Sequence, residues 1–161
     1  MTQWPLQTTA ALTAFYGPAG GRDCTAGTCA LPFPFPLAWD ASQRLSRFSC
    51  HIKVAPAFNR IFAEAAKHYG EKQFRALRLD QFGGCYNYRK MRGSSRLSTH
   101  AWGIAVDLDP LANGLRVAAP KARLSGEAYV PFWKIVEAEG AVSLGRHANR
   151  DWMHLQAARF S

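Results

Sequence analysis

Apolar positions recur at helical spacing over residues 54–69, where Val54, Phe58, Ile61, Phe62, Ala65 and Ala66 line one face and Gly70 follows as a stop. A second helix is predicted over residues 129–138, with Pro131 tolerated in its first turn and Gly140 beyond its end. Strands are predicted at 74–79 and 84–89, around the turn at Gly83-Gly84, and at 104–108, closed by Asp109-Pro110. A last strand falls near 152–156. The order loop, helix, strands, helix, strand is that of an α+β fold, a small antiparallel sheet with helices packed on one side.

The first 40 residues, rich in Pro, Gly, Thr and Ala, show no sustained period, and Gly17-Pro18-Ala19-Gly20-Gly21 has the composition of a turn. In Leu31-Pro32-Phe33-Pro34-Phe35-Pro36-Leu37, alternate prolines remove amide donors and fix φ, which excludes a helix and a central strand. The segment is expected to be an extended strap with Phe and Leu side chains against the core. Residues 1–50 are thus a loop-rich N-terminal strap and 51–161 the core of one domain. A length of 161 residues suffices for one hydrophobic core and leaves no room for a second domain of useful size.

Twenty Lys and Arg against eleven Asp and Glu give a formal charge of +9, which favours polyanionic partners. The basic residues are scattered, with no run of five or six that would form a nucleic-acid arm, so no specific nucleic-acid partner is expected. No stretch approaches the roughly 18 apolar residues of a membrane-spanning helix. The N-terminus, Met1-Thr2-Gln3-Trp4-Pro5, lacks a basic region followed by an apolar core, so synthesis in the cytoplasm without a signal peptide is expected. Cys24, Cys29, Cys50 and Cys85 form no C-x-x-C pair. They are read as free thiols, with Cys24 and Cys29 close enough in sequence to bridge under oxidising conditions.

Candidate chemistry concentrates in Ser98-Thr99-His100-Ala101-Trp102-Gly103-Ile104-Ala105-Val106-Asp107. Imidazole and carboxylate are good zinc ligands. In a strand, Ala105 and Asp107 share one face while Ile104, Val106 and Leu108 share the other, so the aliphatic face anchors the strand and Asp107 is presented rigidly. Gly103 lets the backbone turn so that His100 folds back toward Asp107. A catalytic zinc site has three protein ligands and an open position, and His154 in Asp151-Trp152-Met153-His154 is the third candidate. Asp151 could accept the proton of the attacking water. Positions three apart face opposite sides of a flat strand, so Asp151 must lie in the turn before it or at a bulge. A lone histidine beside apolar residues is ordinarily a core or surface group. His51, His68 and His147 are read so, although His147 is near enough to Asp151 in sequence to line a cleft.

The whole pattern, S-x-H-x-x-G-x-A-x-D followed by D-x-x-H near the C-terminus, resembles the D-alanyl-D-alanine carboxypeptidase and L-alanyl-D-glutamate endopeptidase family. This family includes VanY- and VanX-type zinc peptidases and many phage endolysins. The likeness covers roughly residues 80–156. It implies Zn2+ held in a central cleft by His100, Asp107 and His154, Asp151 as catalytic base, and an arginine upstream of the first histidine that polarises the scissile carbonyl. Arg89 fits that place better than Arg92, and Ser98 would support the first ligand by hydrogen bonding.

The resemblance implies hydrolysis of peptidoglycan stem peptides, with an L-alanyl-D-glutamate endopeptidase of the endolysin type favoured because the base is Asp where some relatives have Glu. Such an enzyme is expected to act as a monomer on the cell wall after release, its positive charge helping it approach an anionic envelope. The alternatives are a D-alanyl-D-alanine carboxypeptidase or dipeptidase, and a non-catalytic Hedgehog-like zinc module. The acid and arginine retained beside all three ligands speak against the last.

Overall fold

The computed structural model describes residues 3–161. Two helices of the core form where the periodicity predicts them. Helix α1 (Thr9–Tyr16) precedes them, α2 is Ala55–Ala76, α3 is Val130–Ala138 and α4 is Leu144–Ala148. The strands are β1 (Gly27–Leu37), β2 (Asp40–Cys50), β3 (Phe82–Gly84), β4 (Ala105–Leu108), β5 (Val142–Ser143) and β6 (His154–Gln156). They form one six-stranded sheet in the order β2-β1-β3-β4-β6-β5. The class is α+β, as expected. The sheet is larger than the sequence reading allows, and one contact, Leu37 beside Phe82 between β1 and β3, is parallel among otherwise antiparallel neighbours. Helix α2 packs on β1 and on α3, and α3 packs on β5, which puts both helices together on one side of the sheet.

The N-terminal segment is not loop-rich. It contributes α1 and the long hairpin of β1 and β2, so the expectation for 1–50 is corrected. Thr8 caps α1 by accepting the amide of Ala11 at 3.1 Å, and Leu12 and Tyr16, four apart, are its buried residues. The proline run lies inside β1 for a geometric reason. Successive amides point to opposite edges of a strand, so prolines at every second position strip donors from one edge only. The register to β2 lapses between Ala30 and Phe35, across Pro32 and Pro34, and resumes at Phe35 opposite Leu45. The expected inward packing holds. Phe35 is fully buried, with ring centroids 5.7 Å from Phe62 and 5.5 Å from Phe74, while Phe48 of β2 lies 4.9 Å from Phe82.

The strand expected at 74–79 is helix and turn instead. Gly70, with φ 76° and ψ 158°, breaks α2 where a stop is expected, but a further helical turn follows. Glu71-Lys72-Gln73 are good helix formers, and Arg75 pairs with Glu71 at 3.5 Å across one turn. The strand expected at 84–89 is also absent: β3 ends at Gly84, and the chain then runs irregularly along the site. Strands β4 and β6 and helix α3 match expectation to within two residues. All four cysteines are free and buried. No described helix is long and apolar enough to cross a membrane. His51 is a structural histidine, bonded to the Tyr16 carbonyl through Nε2 at 2.7 Å and accepting the Lys53 amide at Nδ1.

Candidate metal centre

Three neighbouring backbone segments converge on the centre of the sheet. Ser98 caps a 3-10 turn, Thr99–Trp102, by accepting the His100 amide at 3.2 Å, and the turn buries the His100 ring. Gly103 then reverses the chain with φ 69°, and a Cβ there would collide with the carbonyl of Cys24. The expected turn at Gly103 is therefore required on two counts. It feeds β4, where alternation puts Asp107 on the face opposite Val106 and Leu108. Asp107 lies directly across from His154 in the antiparallel register of β4 and β6. Asp151 sits ahead of β6 in a turn closed by His154 N–H donating to its carbonyl at 3.0 Å, with φ 50°. The turn answers the facing difficulty, because Asp151 and His154 are not on one flat strand.

His100 Nε2 lies 3.2 Å from Asp107 Oδ2, His154 Nδ1 lies 3.2 Å from Asp107 Oδ1, and ligand atoms of all three lie within 4.8 Å of one another. The Asp151 carboxylate is close but outside this group, 3.9 Å from His154 Nδ1. Each imidazole is oriented by its other nitrogen. His100 Nδ1 is 2.6 Å from the Cys85 carbonyl, which can only accept, so Nδ1 carries the proton and Nε2 faces Asp107 bare. His154 Nε2 is 2.8 Å from Gln156 Oε1 and likewise donates, which leaves Nδ1 facing Asp107. His100 Nε2 is the one buried side-chain polar atom without a hydrogen-bond partner among the described residues.

Two imidazole lone pairs aimed at one carboxylate repel unless positive charge lies between them, and a cation satisfies all three groups at once. Two neutral nitrogens and one carboxylate form a donor set suited to zinc or a similar borderline ion. The residues fit such an ion. Protonation states follow the same logic. Burial would push the Asp107 carboxyl up, but where protons rather than an ion lie between the groups, hydrogen bonds from His100 and His154 hold it well below the usual range. Burial would lower His154, yet with a proton in place of the ion its hydrogen bond to Asp107 and the charge of Asp107 raise it. Burial pushes Asp151 up against the pull of His154, as suits a carboxylate that takes a proton.

The centre opens on a cleft of about 1010 Å³. Arg89 and Arg92 both line it and both are exposed. His147 does not line this cleft. It is exposed and stacks on Phe160 with centroids 4.3 Å apart, so the reading of it as a surface histidine stands. Asp109 is a turn residue as expected, with φ 48°, and it also pairs with Arg123 at 3.1 Å. Sequence reasoning missed the groups behind the centre, namely Cys85 through its carbonyl, Thr99, Gln156 and Gln7. Only Gln156 had a local signal, since it lies two residues from His154 and so shares its strand face.

Residues 92–157 match the model of a family described as D-alanyl-D-alanine carboxypeptidase. The matched segment contains His100, Asp107, Asp151 and His154 and excludes Arg89. No match to a curated protein or to a solved structure was found.

Proposed function

From the match of residues 92–157 to the model of the D-alanyl-D-alanine carboxypeptidase family, we propose that the chain is a zinc-dependent peptidase cutting peptidoglycan stem peptides, with His100, Asp107 and His154 as ligands. The observation that carries the metal reading is the pair of bare imidazole nitrogens facing Asp107, one of them a buried atom with no other partner. Zinc would acidify water and polarise the substrate carbonyl. His100 offers Nε2, His154 offers Nδ1, and Asp107 neutralises charge between them. The Asp151 carboxylate accepts a proton from the attacking water and returns it to the leaving amine. Residues 1–161 act as one peptidase domain, whose N-terminal hairpin completes the core through Phe35 and Phe48.

Within that class we favour an L-alanyl-D-glutamate endopeptidase of the endolysin type, acting as a monomer on the cell wall. A cleft of about 1010 Å³ has room for a short peptide. Its wall carries Arg89, Lys90, Arg92, Arg116 and Arg150, none of which is ion-paired among the described residues. Cations left free along a cleft suit a substrate with several carboxylates, as the acidic stem peptide has. The family description itself favours the second reading, removal of a terminal D-alanine. Digesting purified muropeptides and weighing the products separates the two. Release of the whole peptide after L-alanine supports the endopeptidase, and loss of a single D-alanine supports the carboxypeptidase.

Arg89 is proposed as the group facing the negative charge that develops on the carbonyl oxygen. Arg89→Ala is expected to lower turnover by about 10²- to 10³-fold with metal content unchanged. If Arg92→Ala shows that loss and Arg89→Ala does not, the role passes to Arg92.

A further inference from the structure

Behind His154 lies a fully bonded amide. Gln156 is 2 % exposed, and its amide has a single consistent orientation. Its Nε2 donates to the Ala158 carbonyl at 3.1 Å and to Gln7 Oε1 at 2.6 Å. A backbone carbonyl only accepts, so the NH2 group must point that way and Oε1 must point at the centre. There Oε1 accepts from the Thr99 hydroxyl at 3.2 Å and faces His154 Nε2 at 2.8 Å. All four hydrogen-bonding positions of the amide are used, which leaves it no alternative rotamer of equal energy.

We infer that Gln156, held in place by Gln7, is a positioning residue that fixes the proton of His154 on Nε2 and so commits Nδ1 to the metal. The inference rests on the reading of His154 as a ligand. It also gives the N-terminal segment a part in the centre. That segment is tied alongside the chain that follows β6: Gln7 N–H donates to the Arg159 carbonyl at 2.8 Å, Arg159 Nε donates to the Trp4 carbonyl at 2.9 Å, and the Tyr16 hydroxyl donates to the Ala157 carbonyl at 2.6 Å. Gln7 reaches from this strap to Gln156, 149 residues away in sequence. Were the amide replaced by an apolar side chain, His154 would lose the acceptor at Nε2, and its proton could move to Nδ1, where the Asp107 carboxylate also accepts. The ring would then present a protonated Nδ1, with no lone pair for the metal, for part of the time.

Two readouts test this in the full-length protein. One is zinc affinity by chelator competition. The other, taken without metal, is the NMR signal and solvent exchange of the His154 Nε2 proton. Gln156→Met, close in length and without an acceptor, is expected to weaken zinc binding by about 10- to 100-fold, the usual scale for losing a partner of a ligating histidine. Its Nε2 proton should exchange rapidly where the wild-type proton is protected. Gln156→Glu keeps an acceptor toward His154 but loses the donors to Ala158 and Gln7, and should recover both properties in part, which a merely structural role would not give.

Gln7→Ala, at a half-buried position of the strap, should shift both readouts the same way by about threefold or more. It keeps the test available if Gln156→Met does not fold. Wild-type affinity and a protected proton in Gln156→Met, or in Gln7→Ala where that variant stands in for it, would overturn the inference. If the wild-type protein binds no zinc, the zinc reading fails, while the Nε2 proton still decides the role of Gln156.

Discussion

Asp151→Asn is expected to lower hydrolysis by about 10²-fold or more while zinc stays bound at the wild-type level. The substitution is chosen for its backbone as much as its chemistry. Asp151 has φ 50°, a left-handed conformation that Asn adopts readily and most other residues resist. Asn also keeps an oxygen and nearly the same volume, so the turn ahead of β6 and the register of His154 against Asp107 should persist. What is lost is the ability to take a proton. Steady-state turnover on muropeptides, read beside metal analysis of the same preparation, checks the result. Full activity would remove Asp151 as the base. Loss of zinc would make it a ligand, and one of the three assigned ligands would then be wrong.

The second large effect concerns the ligands. His100→Ala, Asp107→Ala and His154→Ala are each expected to leave far less than one zinc per chain and to abolish turnover. In the wild-type protein, zinc should raise the thermal midpoint, because an ion that binds only the native state adds to folding free energy. The increment is about 2.7 kcal/mol when free metal exceeds Kd a hundredfold. That gap between loaded and chelated protein should close in each variant. Calorimetry with and without zinc measures it directly. A triple variant that retained stoichiometric zinc at this site would contradict the assignment.

Much of the centre was legible in the sequence because its parts are local. His100, Gly103 and Asp107 fall within eight residues, and their geometry follows from a turn and a strand whose alternation can be read directly. The pairing of Asp107 with His154 is long-range, yet both lie in short apolar runs typical of neighbouring strands. Helix α3 and most of α2 were legible through their period. The hairpin of β1 and β2 was not, because prolines ordinarily exclude a central strand, and their confinement to one edge is visible only once pairing is known. Residues 74–79 were misread because a short apolar and basic run has no period long enough to separate strand from helix. The second layer was the least legible. Gln7 meets Gln156, and Cys85 lends only a backbone carbonyl, so neither leaves a trace in spacing or residue type.

A single experiment decides whether His100, Asp107 and His154 hold a zinc ion on which peptide cleavage depends. Zinc content of the purified protein is determined together with muropeptide cleavage, before chelation, after it, and after zinc is restored. One zinc per chain is expected, with cleavage lost with the metal and recovered on adding zinc back. Undiminished cleavage by protein shown to be free of metal would contradict that dependence.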